Sequence, residues 1–110
     1  MDNQNVMDEL YSVVKMRKEK PQEGSYTSYL FEQGLDKILK KCGEENAEMI
    51  VAAKNHDTEE TANEMCDLIF HIVVLMVESG TSLEKVMGIL DQRGKKIGNL
   101  KTFHQVNKES

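Results

Sequence analysis

Two short acidic clusters, Glu44-Glu45-x-x-Glu48 and Glu64-x-x-Asp67, place carboxylates at helical spacing. Residues three or four apart share a helix face, so each cluster can offer oxygen ligands side by side. Two such helices packed together would gather about four carboxylates at one spot, and like-charge repulsion makes that costly without a cation between them. A lone glutamate pair is most often a solvated face. The neighbours of the second cluster argue against that reading here. Leu68 to Val77, LIFHIVVLMV, form a run so apolar that a helix containing it is expected to be buried nearly all round. On a wheel of about 100° per residue, Glu60, Glu64, Asp67 and His71 form one narrow polar stripe along that helix.

The same wheel puts Leu35, Ile38, Cys42, Met49 and Ala53 on the core face of the preceding helix, with Glu45 at its margin and Glu48, Lys41 and Lys37 just beyond. Glu44 turns further out and ranks below Glu45 and Glu48 as a ligand. Clustered carboxylates without clustered Cys or His favour a hard cation, Mg²⁺ or Mn²⁺, over zinc. A di-iron bundle would use Glu-x-x-His pairs, whereas His71 follows Asp67 by four positions. A histidine on an apolar helix is commonly a core residue satisfied by a neighbour. Its place on the acidic stripe points instead to a contact with a ligand's surroundings or with substrate. His56 and His104 fall in loop and tail sequence and receive no role.

Mg²⁺ held by acids commonly serves phosphates. Lys37 and Lys41 precede Glu45 and Glu48 at steps of four and seven, so cations and carboxylates share one face. Salt bridging within the helix is the plainer explanation for part of that pattern. Metal, lysines and a carboxylate that activates water would together make a hydrolase for polyphosphates.

Five helical segments must position these groups. The first spans about 5–18, with Val6, Leu10, Val13 and Val14 as its apolar stripe, and stops before Pro21. After a loop over 20–27, a short helix over 28–33 leads to Gly34. The first acidic helix covers about 35–54. Asp57 and Glu60 resemble a capping box for the apolar helix, which runs to about 78 before Gly80. Thr81 and Glu84 repeat that start for a last helix to about 92, and Gly94 and Gly98 then break the pattern. The fold class is all-α: antiparallel helices forming a four-helix-bundle-like core, completed in a homodimer.

Length and composition suit a single domain over 1–110, with about 95–110 a loosely ordered tail. At 110 residues and 39% apolar content the chain buries only about two thirds of its unfolded surface, so an all-round apolar helix suggests a second copy as cover. Cys42 and Cys66 read as small buried hydrophobes, and no secretory leader pattern occurs, which predicts a reducing, cytoplasmic setting. No apolar run approaches the roughly 20 residues of a membrane span. A net charge of −5 disfavours nucleic acid as the main partner. The charge is uneven: residues 1–80 hold 8 Lys/Arg against 16 Asp/Glu, and residues 81–110 hold 6 against 3.

Ser25-Tyr26-Thr27 with Leu30, Gly34-Leu35-Asp36-Lys37-Ile38, Lys41-Cys42-Gly43-Glu44-Glu45-Asn46-Ala47-Glu48, and Glu64-Met65-Cys66-Asp67-Leu68 with His71 together resemble the phosphoribosyl-ATP pyrophosphatase family of histidine biosynthesis. The Glu-x-x-Glu and Glu-x-x-Asp core alone is similar to the wider all-α, MazG-like nucleotide pyrophosphohydrolases. The likeness covers about residues 10–93, with no fused cyclohydrolase expected ahead of it. Cys42, Asn46, Cys66 and Phe70 depart from the familiar pattern at packing positions.

The resemblance implies Mg²⁺-dependent hydrolysis of the α-β phosphoanhydride of phosphoribosyl-ATP, a small phosphorylated nucleotide, to phosphoribosyl-AMP and pyrophosphate. It makes Glu45, Glu48, Glu64 and Asp67 metal ligands, with Glu44 assisting Glu45 in catalysis by orienting water. Lys37, Lys41 and the Ser25, Tyr26, Thr27 loop would hold phosphates, and His71 and Arg17 would contact substrate. Arg17 equally suits a helix C-terminal charge. Two other readings stand beside it. A house-cleaning nucleoside triphosphate pyrophosphohydrolase would share the metal cluster. A non-enzymatic helical dimer would leave the polar stripe on the apolar helix unexplained.

Overall fold

The computed structural model describes residues 5–98, and among the described residues it contains five α-helices and no strand. These are α1 (Val6–Glu19), α2 (Tyr26–Gln33), α3 (Leu35–Lys54), α4 (Thr58–Ser79) and α5 (Leu83–Gly98). The all-α expectation holds. The pairing of α3 with α4 is the most extensive in the fold, and α1 and α2 pack against that pair. α5 leaves at 118° to α4 and lies largely outside the bundle.

The helix ends follow from local chemistry. α2 starts two residues before its apolar pattern because Ser25 caps it, its Oγ accepting from the Ser28 amide at 3.1 Å. Gly34, at φ +94°, ends α2 and lets α3 set off in a new direction, a backbone state that a side chain would strain. Asp57 caps α4 as expected, Oδ1 accepting from the Glu60 amide at 3.0 Å. Gly80 closes α4 in the left-handed conformation, and the Thr81 amide donates back to the Met76 carbonyl at 2.9 Å. At the start of α5 it is Ser82, rather than Thr81, whose hydroxyl accepts from the Lys85 amide. That helix continues through Gly94 to Gly98, because a glycine inside a helix costs only about 1 kcal/mol and does not by itself end it. Residues 95–98, expected in the tail, are therefore helical, while 99–110, with His104, lie outside the described residues.

Val14 of α1, Leu30 of α2, Ile38 of α3 and Val73 and Val74 of α4 form the core, so each bundle helix contributes to it. Three packing expectations are corrected, the first being Cys66, which is exposed on α4 and not a small buried hydrophobe. The apolar helix is not buried all round: Val73, Val74 and Met76 are buried, but Met65, Ile69 and Ile72 run along an uncovered stripe. On α3, Leu35 is 45% exposed, and the buried line passes through Ile38, Glu45 and Ala52 instead. Spaced by seven, those three residues place the buried face about 55° round the helix from the expected one, toward the acids. The cause is α4, which packs on the acidic side of α3 and so carries Glu45 from the margin into the interface.

Candidate active site

Glu45 and Glu48 of α3 meet Glu64 of α4 in that interface, each offering a carboxylate oxygen within 4.8 Å of the others. Glu45 is only 7% exposed, Glu64 is half-buried and Glu48 is open to solvent. The Oε2 atoms of Glu45 and Glu64 are buried without a hydrogen-bond partner. Such orphaned charged oxygens are expensive in a protein interior, and a hard cation satisfies them directly. The donor set is all carboxylate oxygen and therefore fits Mg²⁺ or Mn²⁺. Glu60, then burial, then Glu48 and Glu45 push the Glu64 carboxyl from 4.5 up to about 8.

Cations and an aromatic network border the acids. Lys41 Nζ stands 3.6 Å from Glu45 Oε1, one turn away on α3. Burial works against the Lys41 charge, but the Tyr26 phenol, Glu44 and Glu45 outweigh it and raise its pKa. The Tyr26 phenol is itself raised, first by burial, with Glu45 and Glu44 adding to the effect and Lys41 opposing it.

His71, 5% exposed, has both ring nitrogens engaged. Nδ1 lies 2.7 Å from the Asp67 carbonyl, which can only accept, so Nδ1 carries hydrogen. In the neutral ring Nε2 then accepts from the Tyr26 hydroxyl at 3.0 Å. His71 thus ties the acidic stripe of α4 to the start of α2.

The remaining sequence candidates are more dispersed. Asp67 is exposed on the next turn of α4, outside the three-carboxylate group. Glu44 is exposed beside Glu45, and Lys37 is half-buried one turn before Lys41. Thr27 is half-buried in the first turn of α2, where Ser25 serves as the cap. Arg17 is half-buried in the last turn of α1, and no hydrogen bond or ion pair among the described residues links it to the acids. Sequence reasoning missed Glu60 as the largest influence on the Glu64 carboxyl, although both lie on the polar stripe, and it missed Tyr29 and Phe70. Tyr26 and Tyr29, spaced three apart in α2, were the available clue to that aromatic group.

An all-α bundle that aims carboxylates from two helices at one point, with a lysine alongside, has the build of the all-α nucleotide pyrophosphohydrolases. The family model for phosphoribosyl-ATP pyrophosphohydrolase matches residues 7–94. A phosphoribosyl-ATP pyrophosphatase of Clostridium botulinum (strain Kyoto / Type A2) is 55% identical over 101 residues, 92% of each chain. One from Streptococcus gordonii is 53% identical over 88 residues, 80% of this chain and 85% of the relative. One from Listeria welshimeri is 46% identical over 102 residues, 93% and 98% of the two. The chain belongs to the phosphoribosyl-ATP pyrophosphohydrolase family.

Proposed function

We propose that this chain hydrolyses the α-β phosphoanhydride of phosphoribosyl-ATP, giving phosphoribosyl-AMP and pyrophosphate, as the second step of histidine biosynthesis in the cytoplasm. The observation that carries the reading is the pair of buried, unpartnered oxygens on Glu45 and Glu64, set beside Lys41 in a chain of this family. Glu45, Glu48 and Glu64 would hold Mg²⁺, with Asp67 as a fourth donor from the next turn. Held by these carboxylates, Mg²⁺ would supply charge neutralisation at the phosphate oxygens and Lewis acidity at the phosphoryl group.

The chain's own residues do the rest. Lys41, kept charged by Glu45 and Glu44, pairs with phosphate oxygens, and Lys37 extends that positive line along α3. Thr27 and the Ser25 hydroxyl, which can still donate while its oxygen caps α2, offer neutral donors to other parts of the substrate. Glu44, exposed next to Glu45, orients the attacking water. Arg17 is a more distant substrate contact. The described residues 5–98 act as one domain, and the uncovered apolar stripes of α3 and α4 pack against a second copy in a homodimer.

Pyrophosphate release with Mg²⁺ tests the assignment, run on phosphoribosyl-ATP beside ATP, dCTP and dUTP. Phosphoribosyl-ATP should be preferred on the order of 10⁴-fold over ATP, because polar groups meant for the extra phosphoribosyl unit lose their partners with ATP. Faster hydrolysis of a deoxynucleotide would replace this reading with the house-cleaning one.

A further inference from the structure

We infer that the cleft between the 20–25 loop and α2 is the subsite for the nucleotide's planar base, with Tyr26 and Tyr29 as its stacking surface. The inference rests on the nucleotide-hydrolase reading above and adds where the base lies. The cleft measures about 1000 Å³ and is walled on its apolar side by Pro21, Tyr26, Tyr29 and Phe31. Pockets of that size suit nucleotide-sized ligands.

Charge decides which part of the nucleotide enters. Lys18 is the cation among the lining residues, and it is already held by Glu78 at 2.6 Å, with its Nζ 5.2 Å from the centre of the Phe31 ring. Glu23 and Glu32 add two acids to the same wall. A phosphate would be repelled there. An uncharged aromatic ring would not, and the carboxyl groups can accept from its amino or imino hydrogens. Phosphates belong instead with Lys41 and the acids of α3 and α4.

The aromatic groups are arranged for stacking. Tyr26 and Tyr29 have ring centres 6.1 Å apart and planes 26° apart, and Phe70 continues the series behind Tyr26 at 6.1 Å and 30°. Yet Tyr26 is 46% and Tyr29 42% exposed, leaving much aromatic surface for a ligand. Tyr26 also links the two ends of the site. Its ring lines the cleft, while its hydroxyl reaches His71 and lies close enough to Lys41 and Glu45 for them to bias its ionisation. The opposite wall is fixed in advance. The Gln22 amide donates to Ser28 Oγ at 3.0 Å, and the Ser25 amide donates to the Gln22 carbonyl at 3.1 Å. A pre-ordered wall spares a ligand the cost of ordering it.

The test has a binding arm and a kinetic arm, both on the full chain. With three tyrosines and no tryptophan, ring-labelled tyrosine signals report the site directly. Adenosine, added without metal, should move the Tyr26 and Tyr29 ring signals upfield and leave Tyr11, which packs beside the core, in place. In turnover, Tyr29→Leu should raise KM for phosphoribosyl-ATP about ten- to a hundredfold, the loss of one base-aromatic stack. Tyr29→Phe should restore KM to within about twofold of the parent, since the ring is what matters. Inhibition by inorganic pyrophosphate should be the same in all three proteins. Adenosine that leaves both rings unmoved, an unchanged KM in Tyr29→Leu, or a parallel loss of pyrophosphate inhibition would each overturn the subsite. Ring shifts with adenosine in a chain that hydrolyses no nucleotide would overturn the reaction assigned above and leave the subsite standing.

Discussion

Glu45 on α3 and Glu64 on α4 each turn a buried Oε2 into the same interface, and neither atom finds a hydrogen-bond donor there. Helix packing has been made to hold charges that repel one another. Without a cation the cluster weakens the pairing of α3 with α4, and with one it becomes a crosslink between them. Mg²⁺ at about 100 times its Kd should therefore stabilise the fold by roughly 2.7 kcal/mol, which for a domain of this size raises Tm by about 10 °C or more. A thermal melt with and without Mg²⁺ checks this. Equal melting temperatures would mean that the acids are simply solvated.

A proton on Glu64 would compete with a metal held there. Its carboxyl titrates at about 8 in the folded chain against 4.5 ordinarily, so the folded state holds that proton more tightly than the unfolded state does. Metal-free stability from this group is thus full below pH 4.5 and is lost as pH rises toward about 8. Metal binding has the opposite slope. It should strengthen over the same range and release close to one proton at pH 7, measurable by calorimetry in two buffers of different ionisation enthalpy. Glu64→Gln should remove both dependences.

Turnover should separate the acids from their surroundings. Glu45→Gln, Glu48→Gln and Asp67→Asn should each lower kcat by at least about a hundredfold while far-ultraviolet circular dichroism stays near that of the parent. Removing Glu45, or Glu64 above about pH 8 where its carboxyl is ionised, relieves like-charge repulsion, so those metal-free variants should then melt no lower than the parent. Asp67 is the informative case, because it stands outside the three-carboxylate group in this structure. Near-normal activity in Asp67→Asn would limit the ligand set to Glu45, Glu48 and Glu64.

Much of this was legible in the sequence, for identifiable reasons. Glycine and cap residues act locally, so Gly34, Asp57 and Gly80 mark real helix ends, and the span of α3 follows from its flanks, whereas the Ser25 cap went unread and α2 was expected only from 28. The polar stripe on α4 was readable because helical spacing alone defines it. The burial of Glu45 was not, since a wheel ranks residues by hydrophobicity and cannot know that α4 would pack on the acidic side of α3. Leu35 was misplaced for the same reason. The Tyr26 to His71 bond joins residues 45 positions apart, and no periodicity within one helix reports such a contact. α5 outran its expected end because a glycine inside a helix only weakens it.

Leu35's exposure has a second consequence, for assembly. With the buried face of α3 turned toward the acids, Leu35, Leu39 and Ile50 are left uncovered, and Met65, Ile69 and Ile72 form a matching apolar stripe on α4. Single exposed apolar residues are ordinary on a protein surface, but apolar residues that share one face of a helix, at i, i+4 and i+7 on α4 and within about 60° of arc on α3, are the pattern of a packing face. A specific dimer interface buries about 800 Å² on each partner, within reach of two such helices. The chain should therefore sediment as a homodimer at micromolar concentration. Ile69→Lys should dissociate it, because a charge in the centre of an apolar interface loses its hydration without gaining a partner. Since Ile69 is uncovered within one chain, the substitution should leave the monomer's own core intact and its helicity largely unchanged. A parent protein that sediments as a stable, well-folded monomer at that concentration would remove the homodimer from this account.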